Sequence, residues 1–321
     1  MAPPSPREVS LRLRALSKGS AAQEVRALRS RRYWVRLTPL WFLLPSLLVF
    51  ALFSLYPFAE AIITSLSKFN LTDPGAGRVF IGLHNFRMMF QDSRFWGDLG
   101  RSFLFVSVTV LLSMAFGFYI ASILHAVNRG KNLFRVIFLV PMTISSTIVA
   151  LSFKFMLNYD FGVVNLLLES VGVGRLNFLG DSRLAMWSTV AVDIWQWTPF
   201  VLLVLLAGLE SLPRDPYEAA SLDGAGPWAI FWYITVPLMK RFLLVAALIR
   251  IMDAFRVYET IQLMTAGGPG TLSETLNVYI AKRGFSFFEM GPASAMAVAL
   301  LLLITFIAMF LVQRSGAFTR G

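Results

Sequence analysis

The sequence predicts an all-α, polytopic membrane protein: six transmembrane helices, with one long structured loop between the fourth and the fifth. Three observations lead there. Of the 321 residues, 56% are hydrophobic and only 15% are charged, well under the quarter or so that soluble domains carry. Six apolar stretches are each long enough to cross the hydrocarbon layer of a bilayer, which takes about 20 helical residues. Lipid also offers no partner to a free backbone group, so stretches of this kind are forced to be helices.

In chain order, the spans are expected at about 38–66, 102–124, 133–157, 184–210, 238–264 and 291–313. Together they make a transmembrane domain over residues 37–313, with tails at 1–36 and 314–321. Pro45, Pro57, Pro141 and Pro199 fall inside spans. Each removes one backbone hydrogen bond, leaving either a harmless kink or a bend that shapes a cavity. The 1–36 tail holds nine Lys and Arg against Glu8 and Glu24. A long apolar span follows it, not a short one with a small-residue cleavage site, so it reads as a cytosolic tail and not a secretory signal. Its arginine-rich, acid-poor character leaves a transit peptide open. An even number of spans puts both termini on one side. With the termini inside, inner segments carry 17 Lys and Arg and outer segments nine, which is the cytoplasmic bias of membrane proteins. The net charge of +11 then reports orientation in a membrane and calls for no nucleic-acid partner.

Several chemistries are absent from the sequence. With no cysteine, disulfides, thiolate metal sites and cysteine nucleophiles are excluded. There is no GxxxxGK[ST] phosphate loop and no GxSxG elbow. His84 and His125 are the two histidines, and neither sits at a metal-ligand spacing. The chain is therefore not expected to be an enzyme, nor to hold a cofactor or metal of its own.

The loop at 212–237 is far longer than helix–helix connections usually are. Asp215-Pro216-Tyr217-Glu218 reads as a helix start, with Asp215 as the cap, Pro216 in the first turn and Glu218 three residues on. Ala219, Ala220 and Leu222 favour helix. Gly224 is placed to end it. Gly226-Pro227 then opens a second helix carrying Trp228, Ile230, Phe231, Trp232 and Ile234, and Pro237 leads into the next span. On physical grounds, two readings stand level: a surface that lies in another protein's groove, or an amphipathic loop resting on headgroups.

Glu218-Ala219-Ala220, then Asp223-Gly224, Ile234 and Pro237, resembles the EAA loop of binding-protein-dependent ABC-transporter permeases. One departure is Val236, where leucine is usual. The resemblance implies that this loop is the coupling helix that docks on an ATPase subunit. Phe80-Ile81-Gly82-Leu83-His84-Asn85-Phe86, Phe161-Gly162-Val163-Val164-Asn165 and Thr265-Ala266-Gly267-Gly268-Pro269 with Thr275-Leu276 and Tyr279-Ile280 resemble segments of the family's carbohydrate branch, the maltose and glycerol-phosphate type permeases. That likeness covers roughly residues 38–313. It implies a bacterial inner-membrane subunit that forms half of the path for a sugar-like solute. Its implied partners are a second homologous permease, an ABC ATPase dimer that binds ATP and Mg, and an extracytoplasmic solute-binding protein. The rival readings are an ABC permease for a non-sugar solute, a secondary transporter driven by an ion gradient, and a membrane enzyme.

Charged groups inside spans suggest function by default. Arg250, Asp253, Arg256 and Glu259 recur at three-residue spacing in the fifth span, where a helix would make them neighbours of alternating sign. Asp253, Arg256 and Tyr258 are candidates for the solute path; Arg250 and Glu259, nearer the ends, read as structural. In the fourth span, Asp193, Trp195 and Gln196 combine carboxylate, indole and amide, a set suited to a sugar's apolar faces and hydroxyl rim. Asp193 could instead pair with Lys154 of the third span. Trp187 and Trp197 equally fit an interfacial aromatic belt, and Ser145, Ser146 and Thr147 suit close helix packing.

Overall fold

The structure, a computed structural model, describes residues 42–73, 77–127 and 130–315. The basic 1–36 tail and the last residues of the 314–321 tail lie outside them. The chain divides into two units, residues 1–61 and 62–321. Of the first, the described part is the start of helix α1 (Phe42–Ser65), a span-length apolar helix.

The hairpin β1 (Ser67–Lys68) and β2 (Val79–Phe80) follows, paired antiparallel with Ser67 opposite Phe80, a small exception to the all-α expectation. Then come α2 (His84–Gln91), α3 (Ser93–Ala126), α4 (Lys131–Thr143), α5 (Ser146–Met156), α6 (Val163–Ser170) and α7 (Leu184–Glu210). The long loop forms α8 (Asp215–Leu222) and α9 (Pro227–Leu238). The chain ends with α10 (Lys240–Ala254), α11 (Glu259–Met264), α12 (Leu276–Ala281) and α13 (Met290–Ser315).

Among the described residues, α1, α3, α7 and α13 are long and apolar enough to cross a membrane, and α4 with α5 makes a fifth candidate if that bent pair counts as one crossing. This corrects the expectation of six continuous spans. The second begins at Ser93 and not near 102, because Asp92 caps it, its carboxylate accepting from the Arg94 N–H at 2.9 Å. At 34 residues α3 runs to roughly 50 Å at 1.5 Å per residue, well beyond the hydrocarbon layer.

The third and fifth expected spans are broken. α4 and α5 meet at 89°, and α10, at 15 residues, gives way to a turn before α11. Each break leaves a carbonyl whose helical partner is gone, and an amide side chain supplies the missing donor. Gln196 Nε2 donates to the Ile144 carbonyl at 3.2 Å and to Ser146 Oγ at 3.1 Å, at the two-residue link between α4 and α5 and the first turn of α5. Asn277 Nδ2 donates to the Arg256 carbonyl at 2.9 Å. Pro199 leaves α7 unbroken. Two helices adapt to a proline by widening the turn before it: Ala51–Leu55 ahead of Pro57 and Phe231–Thr235 ahead of Pro237. A wide turn moves the carbonyl four residues back away from the proline ring.

The core of the second unit is the α3–α7 pair. A Cβ on Gly117 would stand 2.7 Å from Val201, so the helices touch through a position only glycine fits. Ala121, Leu124, Leu202, Leu205 and Leu206 close the seam with Met239 and Ala246.

Candidate coupling surface and translocation path

The α8–α9 loop is built as two helices joined by a left-handed residue. Gly224 has φ +73°, and the backbone returns through Ala225 N–H to the Ala220 carbonyl at 2.9 Å, as at a glycine-terminated helix end. Asp215 is not the cap that its sequence suggests. It is already the first helical residue, Arg214 precedes it, and no side chain caps the end. The Arg214 carbonyl accepts the N–H groups of Tyr217 and Glu218, and the carboxylates of Asp215 and Glu218 lie in the first turn, where the helix dipole favours them.

Tyr217 Oη donates to Thr235 Oγ1 at 3.1 Å, locking α8 against α9. Phe231 anchors α9 to α3, its ring 5.3 Å from Phe118. Ala220 is buried and Ile234 half-buried, whereas Glu218, Ala219, Asp223, Gly224 and Pro237 are exposed. Leu222 (89%), Trp228 (75%) and Tyr233 (82%) stand almost fully in the open, with Trp232 beside them. A cavity of about 760 Å³ lies where this loop meets the ends of α3 and α7, between His125, Glu210 and Tyr217.

The structure divides the candidate path residues into two groups. Asp193 does not reach Lys154; its carboxylate accepts from Arg250 Nη2 at 2.6 Å. Arg250 is fully buried, bonds Asp253 through Nη1 at 2.9 Å and stands over the Trp197 ring at 5.7 Å. One guanidinium thus ties α7 to α10 and serves two carboxylates. Gln196 is buried at the α4–α5 break, and Trp195 points away on the same helix, edge-on to Phe153 at 5.2 Å. The ladder expected along the fifth span stops at Asp253, because the turn before α11 takes Arg256 and Tyr258 off its helical row. Those two, with Glu259 and Asn277, instead line an open cavity of about 540 Å³ against α12 and α13.

Sequence reasoning missed Glu274. It is fully buried, accepts from Arg94 Nε at 2.9 Å and Nη2 at 2.6 Å, and pairs with Lys282. Arg101 Nε donates to its backbone carbonyl at 2.9 Å, and the Leu276 N–H to Ser102 Oγ at 2.8 Å. The Thr265–Pro269 segment forms the other wall: Lys282 Nζ donates to the Ala266 carbonyl at 2.8 Å, and Ser273 Oγ to the Gly268 carbonyl at 2.6 Å. Beside this clasp, Tyr279 donates to Asp92 at 2.6 Å. Burial and the Asp92 carboxylate push its phenol pKa upward, so the hydroxyl stays a donor at physiological pH. A lone carboxylate between a glycine-rich turn and two basic residues was the available signal. Glu274→Ala leaves Arg94 and Lys282 without their shared buried partner and is expected to cost about 3 kcal/mol. Glu289→Ala, at the half-exposed pair with Arg283, should cost under about 1 kcal/mol. Thermal unfolding of the two variants in the assembled complex checks the ranking; equal midpoints would remove the clasp from the account.

Residues 113–320 match the family described as binding-protein-dependent transport system inner membrane component. The probable ABC transporter permease protein y4oQ of Sinorhizobium fredii is 34% identical over 90% of this chain and 93% of its own length. The trehalose/maltose transport system permease protein MalF of Thermococcus litoralis is 33% identical over 87% of this chain and 93% of its own. Among solved structures, a chain of a bacterial alginate ABC transporter, in complex with an alginate pentasaccharide-bound periplasmic protein, superposes with a TM-score of 0.76. It is 23% identical, and the match covers 89% of this chain and 98% of that one; at that identity the likeness speaks to the fold.

Proposed function

This chain belongs to the binding-protein-dependent transport system inner membrane components, and from that premise we propose that it forms half of the translocation path of an ABC importer for a sugar or sugar-like solute. One observation carries the reading furthest: a rigid two-helix loop, with Glu218-Ala219-Ala220 and left-handed Gly224 in register, offers an exposed aromatic face while Phe231 roots it in the spans. Such a face suits docking on a partner ATPase, where ATP and Mg would bind. A second permease subunit completes the path, and an extracytoplasmic solute-binding protein delivers to it. ATP binding closes the ATPases, α8 and α9 move with them, and hydrolysis resets the cycle. Differential binding of the partners to the two states supplies the energy.

In this reading the chain is a multi-pass protein of the bacterial inner membrane with both termini cytoplasmic and 37–313 as its permease domain. The bent α4–α5 pair and the interrupted α10–α11 pair serve as its third and fifth crossings, in the manner of the discontinuous helices of transporters. The solute class is supported by the trehalose/maltose relative. It is supported also by the cavity at Arg256 and Tyr258, which pairs an aromatic face with hydrogen-bonding groups. Arg256 and Tyr258 are assigned to the path. Asp193, Gln196 and Asp253 are assigned to holding the broken helices, and Trp195 to packing against α5.

Purification in mild detergent tests the proposal. The chain should bring down a second permease and an ATPase. The reconstituted complex should take up a saccharide when its loaded binding protein is present, and Arg256→Ala should raise the KM for uptake about tenfold, the effect of roughly 1.4 kcal/mol of lost binding, with assembly intact. Uptake by this chain alone, without any ATPase, would replace the proposal with a secondary transporter. An unchanged KM would take Arg256 off the path.

A further inference from the structure

The segment between α5 and α7 closes on itself around one side chain. Asn165 is 1% exposed. Its Nδ2 donates to the Asn158 and Leu176 carbonyls, both at 3.0 Å, and its Oδ1 accepts from the Leu176 N–H at 2.9 Å. Gly162 sits where a Cβ would come within 2.4 Å of the Asn158 carbonyl oxygen. Arg175 crosses the mouth, donating to the Asp160 carbonyl at 2.9 Å and pairing with Glu169 at 3.0 Å. The polar groups that fix the fold of this loop thus point inward or sit at one rim. What it turns outward is apolar: Phe161, Val163, Leu166, Leu167, Val171 and Val173 are all exposed, Leu167 by 62% and Val171 by 73%.

This face is continuous with α5. The Phe161 ring lies 6.4 Å from Phe155, and Phe155, Leu151 and Ile148 form the exposed apolar side of α5, the side that faces lipid if the α4–α5 pair crosses the membrane. The geometry points to α6 and its flanks as an interfacial anchor. The loop lies on the membrane with Leu166, Leu167, Val171 and Val173 among the acyl chains and the Glu169–Arg175 pair at headgroup level, extending the lipid face of α5 past the end of the span. Amphipathic segments bind bilayers in this way, by apolar burial with a charged rim. A soluble partner that docks and leaves in each cycle would return six large apolar side chains to water every time it departed, whereas lipid covers them in every state. The inference rests on the proposed crossing by α4–α5 and not on the identity of the solute.

Because the chain has no cysteine, none of its own thiols competes for a spin label, and cysteines of the partner subunits are replaced beforehand. Leu167→Cys, Val173→Cys and, at the polar rim, Ser170→Cys are labelled in the full transporter complex, in vesicles of phosphatidylethanolamine and phosphatidylglycerol. Collisional relaxation by oxygen, which partitions into lipid, is compared with that by a water-soluble nickel chelate, with and without the binding protein. ATPase stimulation by the loaded binding protein is measured on the same vesicles. The expected result is that labels at 167 and 173 meet oxygen and not nickel in both conditions, with the ratio reversed at 170. Nickel access at both 167 and 173, or shielding that arises only when the binding protein is added, overturns the anchor. If ATPase stimulation is normal in either of those cases, the importer reading stands and only the anchor falls.

Discussion

Gly224→Val is expected to uncouple the transporter if α8 and α9 couple the chain to an ATPase as proposed: solute uptake should fall about tenfold or more, roughly the 1–2 kcal/mol cost of a left-handed L-residue, while the spans stay folded and the complex still binds its solute. The residue has φ +73°, and a Cβ there would meet nothing within 4 Å. Space is therefore not the obstacle. The cost lies in the backbone, where a left-handed conformation is unfavourable by about 1–2 kcal/mol for an ordinary L-residue and worse for a β-branched one. Relief comes by swinging α9 away from α8, which stretches the Tyr217–Thr235 hydrogen bond at 3.1 Å and splits the surface into two misaligned helices. Asparagine tolerates the left-handed region, so Gly224→Asn should keep most of the uptake. Equal losses in both variants would point to the glycine surface itself, and no loss in either would remove the turn from the coupling mechanism. Glu218→Ala is the companion variant. Within the described residues the Glu218 carboxylate makes no hydrogen bond or ion pair, so apart from about 0.3–1 kcal/mol of helix-dipole stabilisation in the first turn of α8, its truncation reports on a partner. ATPase retention should fall about thirtyfold, the effect of one interface hot spot of about 2 kcal/mol.

The parts of this molecule that composition and spacing reveal are those set by the bilayer and by local backbone chemistry. α7 spans 184–210 as its apolar run predicts, because an uninterrupted apolar helix has one way to satisfy its backbone in lipid. The 212–237 loop folds into two helices around Gly224 for an equally local reason, although Asp215 enters the helix instead of capping it. Pro141 allowed for a bend in the third span, but the full break there and the one after α10, and what seals each, were not legible. Nothing near Ile144 or Arg256 signals that its carbonyl will be claimed by Gln196, 52 residues away, or by Asn277, 21 residues away. Those amides are long-range partners, and periodicity sees only neighbours. The same holds for Arg250, whose pairing with Asp193 spans 57 residues, and for Glu274, joined to Arg94 across 180. The three-residue spacing from Arg250 to Glu259 implied one continuous helix face. The turn at Arg256 ends that face and hands the second half of the ladder to a cavity.

Removing the buried guanidinium separates structure from transport at the centre of the molecule. Arg250 is fully buried and holds Asp193, 3% exposed, and Asp253, 40% exposed. The three sites are unequal in what each leaves behind. Arg250→Met strips Asp193 of its only charged partner among the described residues, a defect of about 3–5 kcal/mol where buried pairs have been cut on one side. Asp193→Asn leaves Arg250 with Asp253 still at 2.9 Å, and the amide oxygen can accept the same hydrogen bond, so its cost should stay near 1 kcal/mol. Asp253→Asn touches the exposed end of the triad and should be milder again. The combined Arg250→Met, Asp193→Leu variant removes both buried charges and should recover most of what Arg250→Met alone loses, since apolar replacements of a buried pair are often neutral or better. Detergent-solubilised complexes carrying each change would be ranked by thermal unfolding, and uptake measured on those that assemble. Recovery of stability in the double variant with uptake still impaired would assign the pair to the transport cycle, as a link between α7 and α10 that must hold in one state and yield in the other. Recovery of both would make it a fastening of the fold. A double variant no better than Arg250→Met would mean that the guanidinium acts through Trp197, 5.7 Å beneath it, and not through its carboxylates.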